Sequence, residues 1–338
     1  MRRVAETVCL TDRARTTVGS RLASCRCARH PRVVRRWLCT AGQVPVHPVP
    51  DLALEKDVEQ RIHYLGLKQP TPLTLQEILQ FHSSPSQSKL ILSACFLHEE
   101  IPIRLARRVK ELVALPHGLS ESQQIKSVAD RYRRTTLRIQ SHAKPDSPAL
   151  ELAFTAMVND ILDAHQSVQI EISSAIRDLA DRRAREGQPE LDLSRWLDKF
   201  YLSRISVRML LRHHAALHTP LPGFIGIIQE RIVVAELVSE AAAAAEEITT
   251  YYYGDAPEVQ IDGHIDTSLT YIPSHFYYVL FEMLKNAMRA TCEKHLGAPV
   301  LPPLQIVVAD GDDDVVVKIS DQGGGISRSA VENGDMWK

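Results

Sequence analysis

Helical periodicity dominates the first two thirds of this chain and limits the folds that it can adopt. From about residue 52 to residue 218, apolar residues recur every three or four positions, which places them on one face of an α-helix. No strand-like alternation interrupts this stretch, and its connections are short, so the sequence predicts an antiparallel helical bundle. The predicted helical segments are 72–82, 87–115, 120–141, 147–183 and 192–217. Within the second of them, Pro102 is expected to kink or break the helix, because proline lacks an amide donor and its ring clashes with the preceding turn.

The pattern changes at Pro220, Pro222 and Gly223, after which helical and strand-like segments are mixed. Two β-rich runs around an acidic Gly-containing turn indicate a hairpin. The sequence therefore predicts an α+β chain whose second half packs helices on an antiparallel or mixed sheet. The expected elements are a helix at 231–252, strands at 257–261 and 268–272, a helix at 275–295 capped by Ser274, and strands at 304–309 and 315–320.

The first 47 residues are strongly basic. They hold ten arginines and no lysine, with Glu6 and Asp12 as the only acids, giving a net charge of +8 against about −9 for the remainder. A basic, acid-poor leader predicts a mitochondrial transit peptide and hence a matrix protein. A nucleic-acid-binding arm is the alternative, but nothing downstream resembles a nucleic-acid reader, so no such partner is expected. The predicted organisation is a leader at 1–47, a helical bundle at 52–222 and a second domain at 228–338.

Cysteine usage and hydropathy agree with this location. Four of the six cysteines lie in the leader, which leaves only Cys95 and Cys292 in the rest of the chain. Two distant cysteines form neither a disulfide framework nor a zinc site, so the sequence is typical of a protein in a reducing compartment. No run approaches 18 uninterrupted apolar residues, so no membrane span is expected.

The most informative stretch is a helix that carries Glu282, Asn286 and Arg289. At 100° per residue, positions i, i+4 and i+7 share one face, while Leu280 and Leu284 fall elsewhere and can pack on the sheet. A carboxylate, an amide oxygen and a guanidinium on one face can orient a nucleophile, ligate Mg²⁺ and contact phosphate. The same spacing also occurs on a solvated helix face with an acid–base pair.

About thirty residues later, a predicted strand ends in Asp321, followed by Gly323, Gly324 and Gly325. A carboxylate here can accept a hydrogen bond from an adenine amino group, and glycines let the backbone approach a base and ribose closely. Three glycines alone also suit a flexible turn, so the ordered combination of helix, hairpin and Asp-x-Gly-x-Gly is what favours a nucleotide site.

This combination resembles the first two boxes of the GHKL-type (histidine-kinase-like) ATPase α/β sandwich. Within that superfamily, FEMLKNAMRAT, DKFYLSRISVRMLLRHH, YIPSHF and PIRLARR are similar to the mitochondrial 2-oxoacid dehydrogenase kinases, and the resemblance covers most of residues 60–327. It implies an ATP- and Mg²⁺-dependent protein-serine kinase of the dehydrogenase E1 component. It also implies a helical bundle that docks on the lipoyl domain of the acyltransferase core, and a homodimer in full-length relatives.

Carried over by position, the resemblance makes Glu282 the general base and Asn286 the Mg²⁺ ligand. Arg289 lies within the nucleotide-contacting helix. Asp321 matches the adenine-reading carboxylate, with Gly323 and Gly325 shaping the base pocket. The reaction implied is phosphoryl transfer by positioning and charge neutralisation.

The resemblance is compatible with either of two dehydrogenase complexes as the substrate. FYLSRIS and PSHFYYVLFE favour a pyruvate dehydrogenase kinase, whereas HHAALH, GDAPEVQIDGH and Tyr278 are similar to the branched-chain 2-oxoacid enzyme. We expect pyruvate dehydrogenase, with the branched-chain complex as the alternative.

The family pattern stops soon after Ile326, and no G-x-G-x-G segment occurs in the 338 residues. Backbone amides that would hold the β- and γ-phosphates are therefore missing, and the last sheet strand is expected to leave an unpaired edge. The sequence thus predicts a C-terminally incomplete ATPase domain with little kinase activity, or a non-catalytic docking module.

A sensor histidine kinase is a further alternative. It would need a phosphoacceptor histidine followed by an acid, and His98-Glu99-Glu100 is the only near match, with Pro102 badly placed for such a helix. A eukaryotic-type kinase is disfavoured because neither an H-R-D nor a D-F-G triplet occurs. His165, on the long helical segment, is expected to be a satisfied interface residue.

Overall fold

The computed structural model describes residues 5–11, 55–80, 85–189, 191–312 and 314–329. These residues form two compact units. One runs from Glu55 to Pro222, and the other runs from Gly223 onward and includes the strand Ala5–Thr11. The predicted leader beyond that strand, residues 12–47, lies outside the described residues.

The first unit consists of helices that share one apolar core. Its largest fully buried side chains include Phe154, Phe200, Ile101 and Leu105, and their burial is the main stabilising term for the unit. The predicted helical character is confirmed, with adjusted boundaries. The helices are α1 (Glu55–Leu67), α2 (Leu75–Leu79), α3 (Gln87–Val113), α4 (Gln123–Ser141), α5 (Pro148–Ala164), α6 (Val168–Arg185) and α7 (Ser194–Leu217).

Helix α3 continues through Pro102, so the predicted break there is wrong. Proline removes one amide donor from the helix interior. Around it, Leu97, Ile101 and Leu105 are at most 2% exposed and belong to the core. Burial of three such side chains contributes roughly 1.5–3 kcal/mol each, which exceeds the cost of one proline of roughly 3 kcal/mol.

The segment 147–183, predicted as one periodic run, is divided between α5 and α6 by a turn at His165. The break has a long-range cause. The Arg204 guanidinium, on α7, donates to the His165 carbonyl at 2.9 Å and to the Gln166 carbonyl at 3.4 Å. These carbonyls therefore find a donor outside the helix, and the chain can turn without an unsatisfied backbone group.

The second unit is α+β, as predicted. Its elements are β1 (Ala5–Thr11), β2 (Phe224–Ile225), β3 (Ile228–Val233), α8 (Val234–Tyr253), β4 (Val259–Gly263), β5 (Ser268–Tyr271), α9 (Pro273–Lys294), β6 (Leu304–Asp310) and β7 (Asp314–Ser320). The two helices pack with a four-stranded mixed sheet of order β1-β7-β6-β4, and a three-stranded antiparallel sheet has the order β2-β3-β5. The predicted hairpin is confirmed, because β6 and β7 are antiparallel neighbours, whereas β4 runs parallel to β6.

Two local expectations are corrected. Helix α9 begins at Pro273 with Ile272 as its N-cap, so Ser274 is not the cap; proline suits the first helical position because its missing amide would have no partner there. Strands β2 and β3 were not predicted, and part of β3 lies in the segment expected to begin a helix at 231.

The edge of β7 is paired, contrary to the expectation of an exposed edge. Ala5–Thr11 runs antiparallel along the strand, from Ala5 opposite Ser320 to Thr11 opposite Asp314. Backbone amides and carbonyls on a sheet edge bind a neighbouring strand readily, and this segment of the predicted leader supplies one.

Within the described residues, no helix combines the length and apolar character that a membrane crossing requires.

Candidate nucleotide-binding site

Helix α9 has one buried face and one accessible face. Leu280, Leu284 and Ala287 are at most 4% exposed and pack in the same core as Ile306 of β6 and Val317 of β7. The 3.6-residue period that buries these positions turns Glu282, Asn286 and Arg289 away from the core. The predicted division of the helix into a sheet-packing face and a polar face is therefore confirmed.

The polar face carries side chains with defined partners. Glu282 is half-buried and its Oε2 accepts from Lys285 Nζ at 2.7 Å. Arg289 is exposed, and its Nε donates to Glu293 Oε1 at 2.8 Å. The Tyr253 hydroxyl, on α8, donates to the same carboxylate oxygen at 3.0 Å. Asn286 lies between Glu282 and Arg289 in the sequence of this helix and is exposed, so its side chain is accessible to a ligand.

The turn after β7 is ordered by Asp321. Its Oδ1 accepts from the Gly323 amide at 2.7 Å, which closes an Asx-turn and leaves the other carboxylate oxygen available. Gly324 and Gly325 follow with φ of +97° and +80°, a region that glycine enters without a Cβ penalty. The triple-glycine segment is thus a defined bend.

The bend packs directly against helix α9. A Cβ on Gly323 would lie 2.7 Å from the carbonyl carbon and 2.9 Å from the carbonyl oxygen of Ala290, and would also collide with the Ala290 Cβ. The His295 Nε2 lies 3.2 Å from the Gln322 carbonyl oxygen, adding a polar contact one turn further along. Helix α9 and the Asp321 bend are therefore in direct contact.

Sequence reasoning identified Gly323 but missed its partner. Ala290 is the small residue that permits the contact, and it lies beside Arg289 on α9. It also missed Glu293 and Tyr253, which hold the Arg289 guanidinium. The i, i+4 spacing of Arg289 and Glu293 was a readable signal for the first of these contacts, whereas Tyr253 reaches the pair only through tertiary packing.

Two histidines of the helical unit, His98 and His165, form hydrogen bonds within the fold. His98 Nε2 lies 2.9 Å from the His142 carbonyl oxygen, and Glu100 beside it is 3% exposed and paired with Arg104 at 2.9 Å. A phosphoacceptor histidine needs an accessible ring, so this arrangement disfavours a histidine kinase. His165 is 3% exposed and bonded to Thr135 Oγ1 at 2.9 Å, which confirms the expected interface role.

Comparison with known proteins identifies the family. The family model described as mitochondrial branched-chain alpha-ketoacid dehydrogenase kinase matches residues 72–229. A mitochondrial pyruvate dehydrogenase (acetyl-transferring) kinase of Arabidopsis thaliana is 34% identical, over 82% of this chain and 76% of its own length.

Relatives from other kingdoms agree. The corresponding kinase of Schizosaccharomyces pombe is 30% identical over 81% of this chain and 80% of its own. The human isozyme 4 is 30% identical over 80% of this chain and 68% of its own. With similarity at this level along most of its length, the chain belongs to the mitochondrial 2-oxoacid dehydrogenase kinase family.

Proposed function

We propose that this chain is an ATP-dependent protein-serine kinase of the mitochondrial matrix that phosphorylates and inhibits the E1 component of the pyruvate dehydrogenase complex. One observation supports the site most strongly: Gly323 packs on Ala290 with no room for a Cβ. This contact joins the polar face of α9 to the Asp321 bend, so that one ligand can contact both. The relatives named above as pyruvate dehydrogenase kinases support the substrate.

In this proposal each site residue has a separate role in phosphoryl transfer. Asp321 keeps one carboxylate oxygen for the adenine amino group while the other holds the Gly323 amide. Glu282 accepts the proton of the substrate serine hydroxyl, and Lys285 keeps that carboxylate oriented. Arg289 stabilises the nucleotide's negative charge, and Gly325 shapes the base pocket. Positioning and electrostatics of this kind supply most of the rate enhancement in phosphoryl transfer.

Asn286 fits the role of Mg²⁺ ligand. An exposed amide oxygen between an acid and a guanidinium is a hard, neutral donor of the type that Mg²⁺ accepts. The ion would neutralise charge on the phosphate oxygens, and the protein's task at this position is to hold the amide in place on a rigid helix.

The partners expected from the family are part of the same proposal. The helical unit docks on a lipoyl domain of the acyltransferase core, and the chain forms homodimers. If it binds lipoyl domains but no nucleotide, its role is that of a docking module.

The branched-chain 2-oxoacid dehydrogenase is the second candidate substrate. The matching family model, described as the branched-chain kinase, covers most of the helical unit, and Tyr278, one turn before Glu282, is 61% exposed beside the proposed site. Phosphoserine formation on E1 of each complex, measured in parallel with limiting enzyme and long incubation, separates the two. We expect faster labelling of pyruvate dehydrogenase E1; faster labelling of the branched-chain E1 would reassign the substrate.

A further inference from the structure

The helical unit contains a largely buried group of nitrogen and oxygen ligands, none of which belongs to the proposed nucleotide site. His214 lies on α7, and His218, four residues later, is the C-cap of that helix, so the two side chains share one face. Glu151 faces them from α5. Its Oε1 lies 2.8 Å from His218 Nε2 and 3.6 Å from His214 Nε2, and one ligand atom from each of the three residues lies within 4.8 Å of the other two.

Burial makes this group costly unless its charge is balanced. The side chains of Glu151 and His214 are 0% exposed, and that of His218 is 18% exposed. A carboxylate removed from water requires hydrogen bonds or a cation to offset its desolvation.

The outer contacts orient the ligand atoms. His214 Nδ1 lies 3.0 Å from Ser93 Oγ on α3. When Nδ1–H donates to this hydroxyl, the lone pair of Nε2 faces Glu151, which is how outer partners commonly fix the tautomer of a metal-binding histidine. The Thr155 hydroxyl lies 2.9, 3.1 and 3.0 Å from His214 Nε2, His218 Nε2 and Glu151 Oε1. This hydroxyl has a single proton, so it can donate a hydrogen bond to only one of the three atoms.

We propose that Glu151, His214 and His218 form a Zn²⁺ site that clamps α5 to α7. A site made of two imidazoles and one carboxylate binds Zn²⁺ in preference to Mg²⁺ or Ca²⁺. With zinc–ligand bonds of about 2.0 Å, tetrahedral geometry separates neighbouring ligand atoms by about 3.3 Å. The two separations from Glu151 Oε1, 2.8 and 3.6 Å, bracket that value, and all three ligand atoms lie within 4.8 Å of one another. The Thr155 hydroxyl or a water completes the coordination.

Metal binding to the full chain tests the site. The protein is stripped with a chelator, reloaded with Zn²⁺, dialysed and analysed for metal. We expect one tightly held Zn²⁺ per chain and a higher melting temperature in its presence. His218→Gln and Glu151→Gln each remove a direct ligand, so each should weaken Zn²⁺ binding by more than the roughly 10–100-fold that loss of an outer partner costs, and each should lose the thermal shift. The matched control is His63→Gln, which changes an exposed histidine of α1 and should bind as wild type.

Replacement of Zn²⁺ by Co²⁺ keeps the test independent of variant folding. In the wild-type chain we expect the visible absorption of tetrahedral Co²⁺ with nitrogen and oxygen ligands. A thiolate charge-transfer band would instead place the metal on the chain's cysteines and overturn the proposal. Zn²⁺ affinity unchanged in folded His218→Gln, or the absence of stoichiometric binding to wild type, would also overturn it and leave the group as a hydrogen-bonded network.

Discussion

Gly323 lies against the backbone of Ala290, with no space between them for a side chain. The contact joins the bend after β7 to the penultimate turn of α9. It is the physical link between two segments that lie more than thirty residues apart in the sequence, and the proposed nucleotide site depends on it.

Gly323→Ala should therefore disrupt the site. Its Cβ meets backbone atoms of Ala290, which cannot move aside without shifting α9 or the bend. Overpacking of this kind costs about 1–3 kcal/mol, and we expect a lower melting temperature together with at least about tenfold weaker ATP binding. Gly66→Ala is the control, because the new Cβ meets mainly the flexible Lys110 side chain. Near wild-type ATP binding by Gly323→Ala would contradict the packing account.

Asp321→Asn should change nucleotide preference while leaving the bend intact. The asparagine oxygen can still accept from the Gly323 amide, but the second acceptor becomes an amide donor. We expect wild type to bind ATP at least about tenfold more tightly than inosine triphosphate, which has an oxygen in place of the adenine amino group. The variant should lose this preference, as measured by titration calorimetry. An equal preference in both proteins would remove Asp321 from the adenine site.

Glu100→Gln should destabilise the helical unit strongly. Glu100 Oε1 accepts from Arg104 and from the Thr71 amide, and the acid is 3% exposed. Removing one charge of a buried pair leaves the other uncompensated, at a cost of about 3–5 kcal/mol. The neighbouring Glu99→Gln is the control, since Glu99 is exposed and 3.9 Å from Lys144, where less than about 1 kcal/mol is expected. Urea unfolding of both variants measures the difference, and equal losses would contradict the burial argument.

His165 should make the helical unit less stable in acid. Burial, with Arg204, Arg131 and Arg208 nearby, lowers its pKa from 6.5 to about 3. Between pH 3 and pH 6.5 the unfolded chain binds a proton at His165 and the folded chain does not. The contribution of His165 to the free energy of unfolding is therefore fully present above pH 6.5 and is lost as the pH falls towards 3. From about pH 7 to about pH 5 this loss approaches about 2 kcal/mol.

The variant His165→Gln isolates this histidine from other titrating groups. Urea unfolding at the two pH values should show a smaller change in unfolding free energy for the variant than for wild type. If the two proteins lose stability in parallel, His165 carries a proton in both states or in neither.

The sequence was most informative where one element determines its own structure. The two faces of α9 follow from the 3.6-residue period, and the β6–β7 hairpin follows from two β-rich runs around an acidic turn. The family motifs on α9 and after β7 then indicated the same site residues.

The features that were not predicted depend on distant partners. The turn at His165 is held by Arg204, 39 residues away, and the continuity of α3 through Pro102 reflects the burial of its neighbours. The pairing of β1 with β7 joins opposite ends of the sequence. The need for a small side chain at Ala290 follows only from its contact with Gly323, which the sequence does not show. Local periodicity carries no information on such contacts.

Hydrogen–deuterium exchange with and without ATP and Mg²⁺ tests most directly whether the α9 face and the Asp321 bend bind one nucleotide. Peptides covering 281–294 and 321–326 report on the two segments separately. We predict that saturating ATP with Mg²⁺ slows exchange in both, and that Asp321→Asn reduces the effect in both. Protection of only one segment, or of neither at saturating nucleotide, would contradict a shared adenosine pocket.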